Sequence, residues 1–172
     1  NNMKFSIEKK LEGTLARAGK IETKNGVIET PAFVVVGTKA TVKALTAEQI
    51  RSLGAQVVLA NTYHLYLQPG TDIVEKAGGF GAFMDWHGPT MTDSGGFQAF
   101  SLGAAFGSAV SKVASADAPV EDISHTEGQL AKVTDEGVTF KSHIDGSMHL
   151  FTPDSSMEAH WTIWADMIFA FA

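Results

Sequence analysis

Three apolar runs, each closed by polar residues, punctuate the chain: PAFVVVGT (31–38), AQVVLANT (55–62) and GPTMTDS (88–94). Unbroken rather than alternating hydrophobicity is the pattern of a strand covered on both faces. Helical signals separate the runs. Thr46 stands at an N-cap position with Gln49 three residues on, a capping-box spacing, and Gly54 offers a stop. Pro69-Gly70 precedes a second helical stretch, TDIVEKAGG (71–79). DMIFAFA (166–172) reads as a fourth buried strand. Strand, helix, strand, helix, strand is the βαβ alternation of a parallel α/β fold.

The flanks read differently. Residues 4–30 fall into short runs, FSIEKKLEG, LARAGKIET and GVIET, with Asn25-Gly26 between the last two. Asn-Gly in that setting signals a hairpin, so an antiparallel β lead-in is expected over 4–30. Residues 31–102 carry the first βα units. Residues 103–132, rich in Ala, Ser and Gly, have no clean period and read as a long insertion. VTFKSHIDGSMHLFTP (138–153) is a second hairpin with Asp145-Gly146 at its turn. TPDSSMEAHWTIWA (152–165) is a helix capped by Thr152 with Pro153 first, and the fourth strand follows within 138–172.

Polar residues collect where the parallel strands end: Gly37-Thr38, then Asn61-Thr62-Tyr63-His64, then Asp93-Ser94. In α/β barrels and open α/β sheets, ligands sit at those carboxyl ends. Thr38 and Thr62 read equally well as turn and cap residues. Asp93 has no capping task that Ser94 could not perform, which points it toward a ligand. MTDSGGFQAFSL (91–102) reads as a strand running into a turn. Its glycine pair either makes that turn or lets the backbone approach a flat or anionic ligand, and Phe97 either enters the core or stacks on a planar base.

The six histidines, His64, His87, His125, His143, His149 and His160, lack zinc-motif spacing. His143 and His149 flank a hairpin turn and are expected at the surface. Asp85-Trp86-His87 reads as a loop without an assigned role. Met84, Trp161 and Trp164 are expected to pack.

Composition narrows the classes. The 172 residues, 44% hydrophobic, suffice for one domain with a real core. No apolar run reaches membrane-helix length, and the start NNMKFSIEKK is too charged for a signal peptide. The absence of cysteine excludes disulfides and thiolate metal sites within the chain and suits the cytoplasm. The net charge of −6 runs against the basic face that nucleic-acid binding usually needs.

Four motifs in order, PAFVVVGTKATVKALT, LGAQVVLANTYHLYLQPG, FMDWHGPTMTDSGGFQAFSL and EGVTFKSHIDGSMHLFTPDSSMEAH, resemble the N-terminal half of bacterial-type tRNA-guanine transglycosylases. The resemblance runs from about residue 14 to 171 and skips the 103–132 segment. It implies an irregular TIM barrel, of which this chain holds about four strands, with an antiparallel lead-in and an inserted hairpin. It also implies exchange of guanine in the tRNA anticodon loop for a 7-deazaguanine (preQ1 or queuine), through a covalent ribosyl-enzyme intermediate. Carried over, Asp93 matches the acid/base and base-recognising aspartate, Ser94 a pocket serine, Phe97 the aromatic that stacks on the base, and Asn61 the asparagine that orients the aspartate. Gly95 and Gly96 would leave room for base and ribose. A homodimer is implied for the full-length family.

The same resemblance marks departures. A barrel takes about 250 residues, so half of one is expected here. The nucleophilic aspartate and a structural zinc on three cysteines and one histidine are expected downstream, with no cofactor held by this chain. Ala172 stands where a base-recognising aspartate is expected. HWTIWA (160–165) stands where a Gln and a Gly are usual, Lys39-Ala40 replaces Gln-Gly, and Gln68 replaces Arg. Much of the basic tRNA face would lie downstream, so this chain alone should bind tRNA weakly. Two other readings stay open. One is a non-catalytic partner subunit of a transglycosylase. The other is an unrelated α/β-barrel enzyme acting on phosphorylated metabolites, which lacks the expected phosphate-cradling loop.

Overall fold

The computed structural model describes residues 3–105 and 131–171. Most of the expected insertion (106–130, with His125) and Ala172 lie outside the described residues. Strands β1 (Lys4–Lys10), β2 (Arg17–Thr23) and β3 (Gly26–Thr30) form the antiparallel lead-in. Its β2–β3 loop is Lys24-Asn25, with Thr23 opposite Gly26, so the turn centre lies one residue before the expected Asn-Gly. Asn25 is used elsewhere: its amide donates to both Asp166 oxygens, at 2.9 and 3.0 Å.

The alternating portion follows: β4 (Val34–Val36), α1 (Ala47–Ser52), β5 (Val57–Ala60), α2 (Thr62–Leu67), α3 (Thr71–Lys76), α4 (Phe80–Phe83), β6 (Thr90–Thr92) and α5 (Gly96–Ala105). Then come β7 (Ala131–Thr134), β8 (Gly137–Lys141), β9 (Met148–Phe151), α6 (Pro153–Ile163) and β10 (Met167–Ile168). The parallel sheet has the order β10-β6-β5-β4, so sequential strands are neighbours. Val34 pairs with Val57, Val58 with Thr90, and Met91 with Met167. The second antiparallel sheet is β7-β8-β9. The fold is therefore α/β, one parallel sheet with two antiparallel ones.

Local chemistry sets the boundaries. Thr46 Oγ1 accepts from the Gln49 amide at 3.1 Å while Gln49 Oε1 accepts from the Thr46 amide at 2.9 Å. Gly54, at φ +87°, closes α1 by donating to the Arg51 carbonyl at 3.0 Å. Thr152 and Ser155 form the same reciprocal box at the start of α6, with Pro153 inside it.

One core cluster fills the space between the parallel sheet and its helices with Ile50, Val58, Leu65, Val74, Phe80, Trp86 and Ile163. Trp86, expected in a loop without a role, is buried and donates its indole N–H to the Pro89 carbonyl at 2.9 Å. Met84 packs against this cluster as expected. A second cluster, Tyr63, Ala99, Val138, Phe140 and Phe151, joins the β7-β8-β9 sheet to α2 and α5.

Several expectations are corrected. PAFVVVGT yields only a three-residue strand at a sheet edge, with Phe33 80% and Val36 53% exposed, because β4 has a neighbour on one side only among the described residues. DMIFAFA yields only Met167–Ile168, and Ile168 and Phe169 are exposed for the same reason. Thr62-Tyr63-His64 opens α2 rather than extending a strand end, and the glycine pair opens α5 rather than a simple turn. Regular structure trims the insertion at both ends, to Ala105 and from Ala131. Trp161 and Trp164 do not enter the core; they are 75% and 56% exposed.

Candidate functional site

The parallel strand ends converge as βαβ geometry requires. The Asn61 amide N–H donates to the Thr38 carbonyl at 3.2 Å, tying the end of β5 to the segment after β4. Asp93 follows β6, and three donors meet its carboxylate. Asn61 Nδ2 donates to Oδ2, the Thr62 backbone N–H to Oδ1 at 2.9 Å, and Gln98 Nε2 to Oδ2 at 2.8 Å. The Thr62 hydroxyl donates to the Asp93 backbone carbonyl. A carboxylate offers roughly four lone-pair directions, so these donors fix its orientation and leave about one for a ligand.

The neighbours of Asp93 fall into place around it. Ser94 is half-buried; its hydroxyl lies 3.4 Å from the Gly96 N–H, and its carbonyl accepts from Ser156 Oγ at 2.8 Å. Gly95 is buried at φ +76°. A Cβ there would lie 2.9 Å from the Phe151 ring and 3.0 Å from the Tyr63 nitrogen. At Gly96 a Cβ would meet the Phe171 ring at 3.0 Å. Phe97 is 73% exposed, so of its two readings the core is the one the structure removes.

Around this centre lie groups to which the sequence assigned no role in the site. Gln98 reaches Asp93 because α5 starts at Gly96 and returns its first turn toward the strand end; reading the glycines as a turn hid that. His64 is half-buried, and its Nδ1 is buried with no hydrogen-bond partner among the described residues. Burial pushes its pKa down, the nearby His143 and Lys39 add to this, and Asp93 opposes it. Lys39 and Gln68, noted separately as departures, bond each other: Lys39 Nζ donates to Gln68 Oε1 at 2.9 Å.

The hairpin histidines divide. His143 is exposed as expected, with Nδ1 3.3 Å from the Tyr63 hydroxyl. His149 is half-buried instead, because its ring stacks on Phe140 and bonds Tyr66 and Ser147 at 3.2 and 2.7 Å. A separate cleft of about 760 Å³ is lined by Lys24, Trp86, His87, His160 and Trp161. Its carboxylate, Asp166, is already occupied by Asn25 and Thr90, so it holds no free acid to match Asp93. Among the described residues, no group of three His, Asp or Glu side chains is placed to hold a metal ion.

The sequence model of a family described as Queuine tRNA-ribosyltransferase matches residues 12–172. The queuine tRNA-ribosyltransferase of Desulforamulus reducens is 47% identical over 169 residues, which are 98% of this chain and 39% of the relative. That of a Roseiflexus species is 48% identical over 167 residues, 97% of this chain and 40% of the relative. That of Pelotomaculum thermopropionicum is 45% identical over 167 residues, again 97% of the chain and 38% of the relative. The chain thus spans about two fifths of the length of the curated relatives it matches. On a family match over nearly its whole length, the chain belongs to the queuine tRNA-ribosyltransferase family.

Proposed function

We propose that this chain supplies the base-handling part of a tRNA-guanine transglycosylase site, which exchanges guanine in the anticodon loop for a 7-deazaguanine. The observation that carries the reading is the carboxylate of Asp93, held by Asn61, Thr62 and Gln98 at the strand ends beside an exposed Phe97. The names of the relatives support the same reaction.

In this reading Phe97 stacks on the flat base, while Asp93 and the Ser94 segment meet its polar edge. A carboxylate from outside this chain attacks C1′ of the ribose as the bond from C1′ to guanine breaks, and the departing base takes up a proton. The incoming base then gives up a proton as it bonds to C1′ and displaces that carboxylate. Retaining glycoside chemistry divides its labour between two carboxyl groups in this way. Asp93 holds and returns the proton. Gly96 gives the base access to the backbone. The four parallel strands are read as half of a TIM barrel within a single domain, working in the cytoplasm as a homodimer. The structural zinc belongs to residues outside this chain, which has no cysteine to offer it, and no step is routed through it.

The test is equilibrium binding of guanine to the chain. Wild type binds; Asp93→Asn binds at least about tenfold more weakly, and Phe97→Ala loses about 1–3 kcal/mol of stacking. Both variants keep a cooperative melt. Equal guanine binding by wild type and Asp93→Asn overturns the assignment. Incorporation of labelled guanine into unmodified tRNA, lost in Asp93→Asn, extends it from binding to exchange.

A further inference from the structure

Behind the Asp93 segment, a single imidazole is surrounded by hydroxyls. His160 of α6 is 2% exposed. Its Nδ1 lies 2.7 Å from Thr92 Oγ1 and 3.4 Å from Thr62 Oγ1, and its Nε2 lies 3.5 Å from Ser156 Oγ. Each hydroxyl belongs to the segment that carries Asp93 or touches it. Thr92 precedes Asp93, Thr62 donates to the Asp93 carbonyl, and Ser156 donates to the Ser94 carbonyl.

Counting protons narrows the direction of these contacts. A hydroxyl has one proton to give. Thr62 and Ser156 have given theirs to the two carbonyls, so toward His160 they can only accept. Thr62 faces Nδ1 and Ser156 faces Nε2, and a neutral ring has one proton to offer the two; with that proton on Nε2 it reaches Ser156, and Thr62 stands beside the ring without a hydrogen bond to it. Nδ1 is left bare to accept from the Thr92 hydroxyl, the shortest of the three contacts. Burial pushes the pKa of His160 down, with Asp93 and the Phe169 backbone opposing, which agrees with a neutral ring.

We propose that His160 is a positioning residue for Asp93: a neutral imidazole, protonated at Nε2, that locks the Thr92 and Ser156 hydroxyls and so holds the backbone before and after the acid. Among the described residues the ring makes no hydrogen bond to the carboxylate, whose donors are Asn61, Thr62 and Gln98. It acts through the hydroxyls, and its relevance to base exchange rests on the reading of Asp93 given above.

The test uses the isotopically labelled chain, with guanine as probe. In wild type, the His160 nitrogen shifts report a bare Nδ1 and a protonated Nε2. His160→Leu removes both polar atoms; the Asp93 carboxyl and Thr62 amide resonances move, and guanine affinity falls about tenfold. His160→Gln keeps one donor and one acceptor and restores the resonances and the affinity. A protonated Nδ1 in wild type, or unmoved Asp93 and Thr62 resonances in His160→Leu, overturns the proposal. If the Leu variant loses its cooperative melt, the wild-type tautomer and the Gln variant decide: a bare Nδ1 with restored resonances upholds it, and any other pair overturns it. Unchanged guanine binding in Asp93→Asn would count against the function alone, since the resonances still report on positioning.

Discussion

Gly95 and Gly96 are neighbours in sequence and answer to different constraints. Gly95 adopts φ +76°, and a Cβ would strike the Phe151 ring and the Tyr63 backbone, neither free to retreat because both belong to the second core cluster. Gly95→Ala is expected to cost about 1–3 kcal/mol from backbone strain, with the clash added, and to lower the melting temperature clearly. At Gly96 the backbone is outside the left-handed region and the obstruction is the edge of the half-buried Phe171 ring, so Gly96→Ala should melt close to wild type while weakening guanine binding. Paired melting and binding measurements separate the two; a Gly96→Ala variant that binds guanine normally would remove that glycine from the site. At this scale the strand-end pattern singled out Asp93, because a carboxylate there has few structural tasks, and the family resemblance added Asn61 as its orienting partner. It did not announce Gln98, whose reach depends on a helix starting at a glycine pair, or His160, whose partners come from β6, α2 and its own α6 and meet only after folding.

Turns and caps were the elements most legible in the sequence, because their chemistry is local. The Thr46 and Thr152 boxes, the Gly54 stop and the Asp145-Gly146 turn each depend on residues within a few positions. Strand extent was not legible, since apolar runs state that burial is wanted and not where neighbours end; PAFVVVGT and DMIFAFA shrank to three and two strand residues at sheet edges. The β8–β9 turn carries its own pH response. Asp145 accepts from the Ser147 hydroxyl at 2.7 Å and from the Ser147 amide at 3.1 Å. The Ser147 hydroxyl, then that of Ser142, holds its pKa down from 3.8 to about 2. A folded pKa below the unfolded one means that the turn is supported in full above 3.8 and loses that support as pH falls through about 2. The Asp145 carboxyl resonance should titrate near 2, and the Ser147 amide should lose protection across the same window. Asp145→Asn should abolish that window, whereas a midpoint at the ordinary 3.8 would show that the serines do not hold the carboxylate.

At the level of the whole molecule, two opposed effects act on how copies of the chain meet. The parallel sheet has β4 at one edge and β10 at the other, each paired on one side only among the described residues. Unpaired N–H and C=O groups there lie beside exposed Phe33 and Val36 at one edge and Ile168 and Phe169 at the other. Beside β4, an apolar groove of about 310 Å³ is lined by Phe33, Val35, Leu45 and Leu53. Open strand edges flanked by apolar side chains recruit further strands. The net charge of −6 resists that recruitment, but only over a Debye length of about 10 Å at 0.1 M salt. The edge contacts are short-range and survive screening, so added salt should shift the balance toward association rather than away from it. Sedimentation velocity of the chain is therefore expected to show a weight-average coefficient that rises with protein concentration and rises further with salt. Val36→Lys, which places a charge on the β4 edge, should return the chain toward monomer at the same concentration. A monomer at every concentration and salt would mean that the exposed edges are already protected by residues outside those described. Association that weakened with salt would instead place charge pairs, not sheet edges, at the contact.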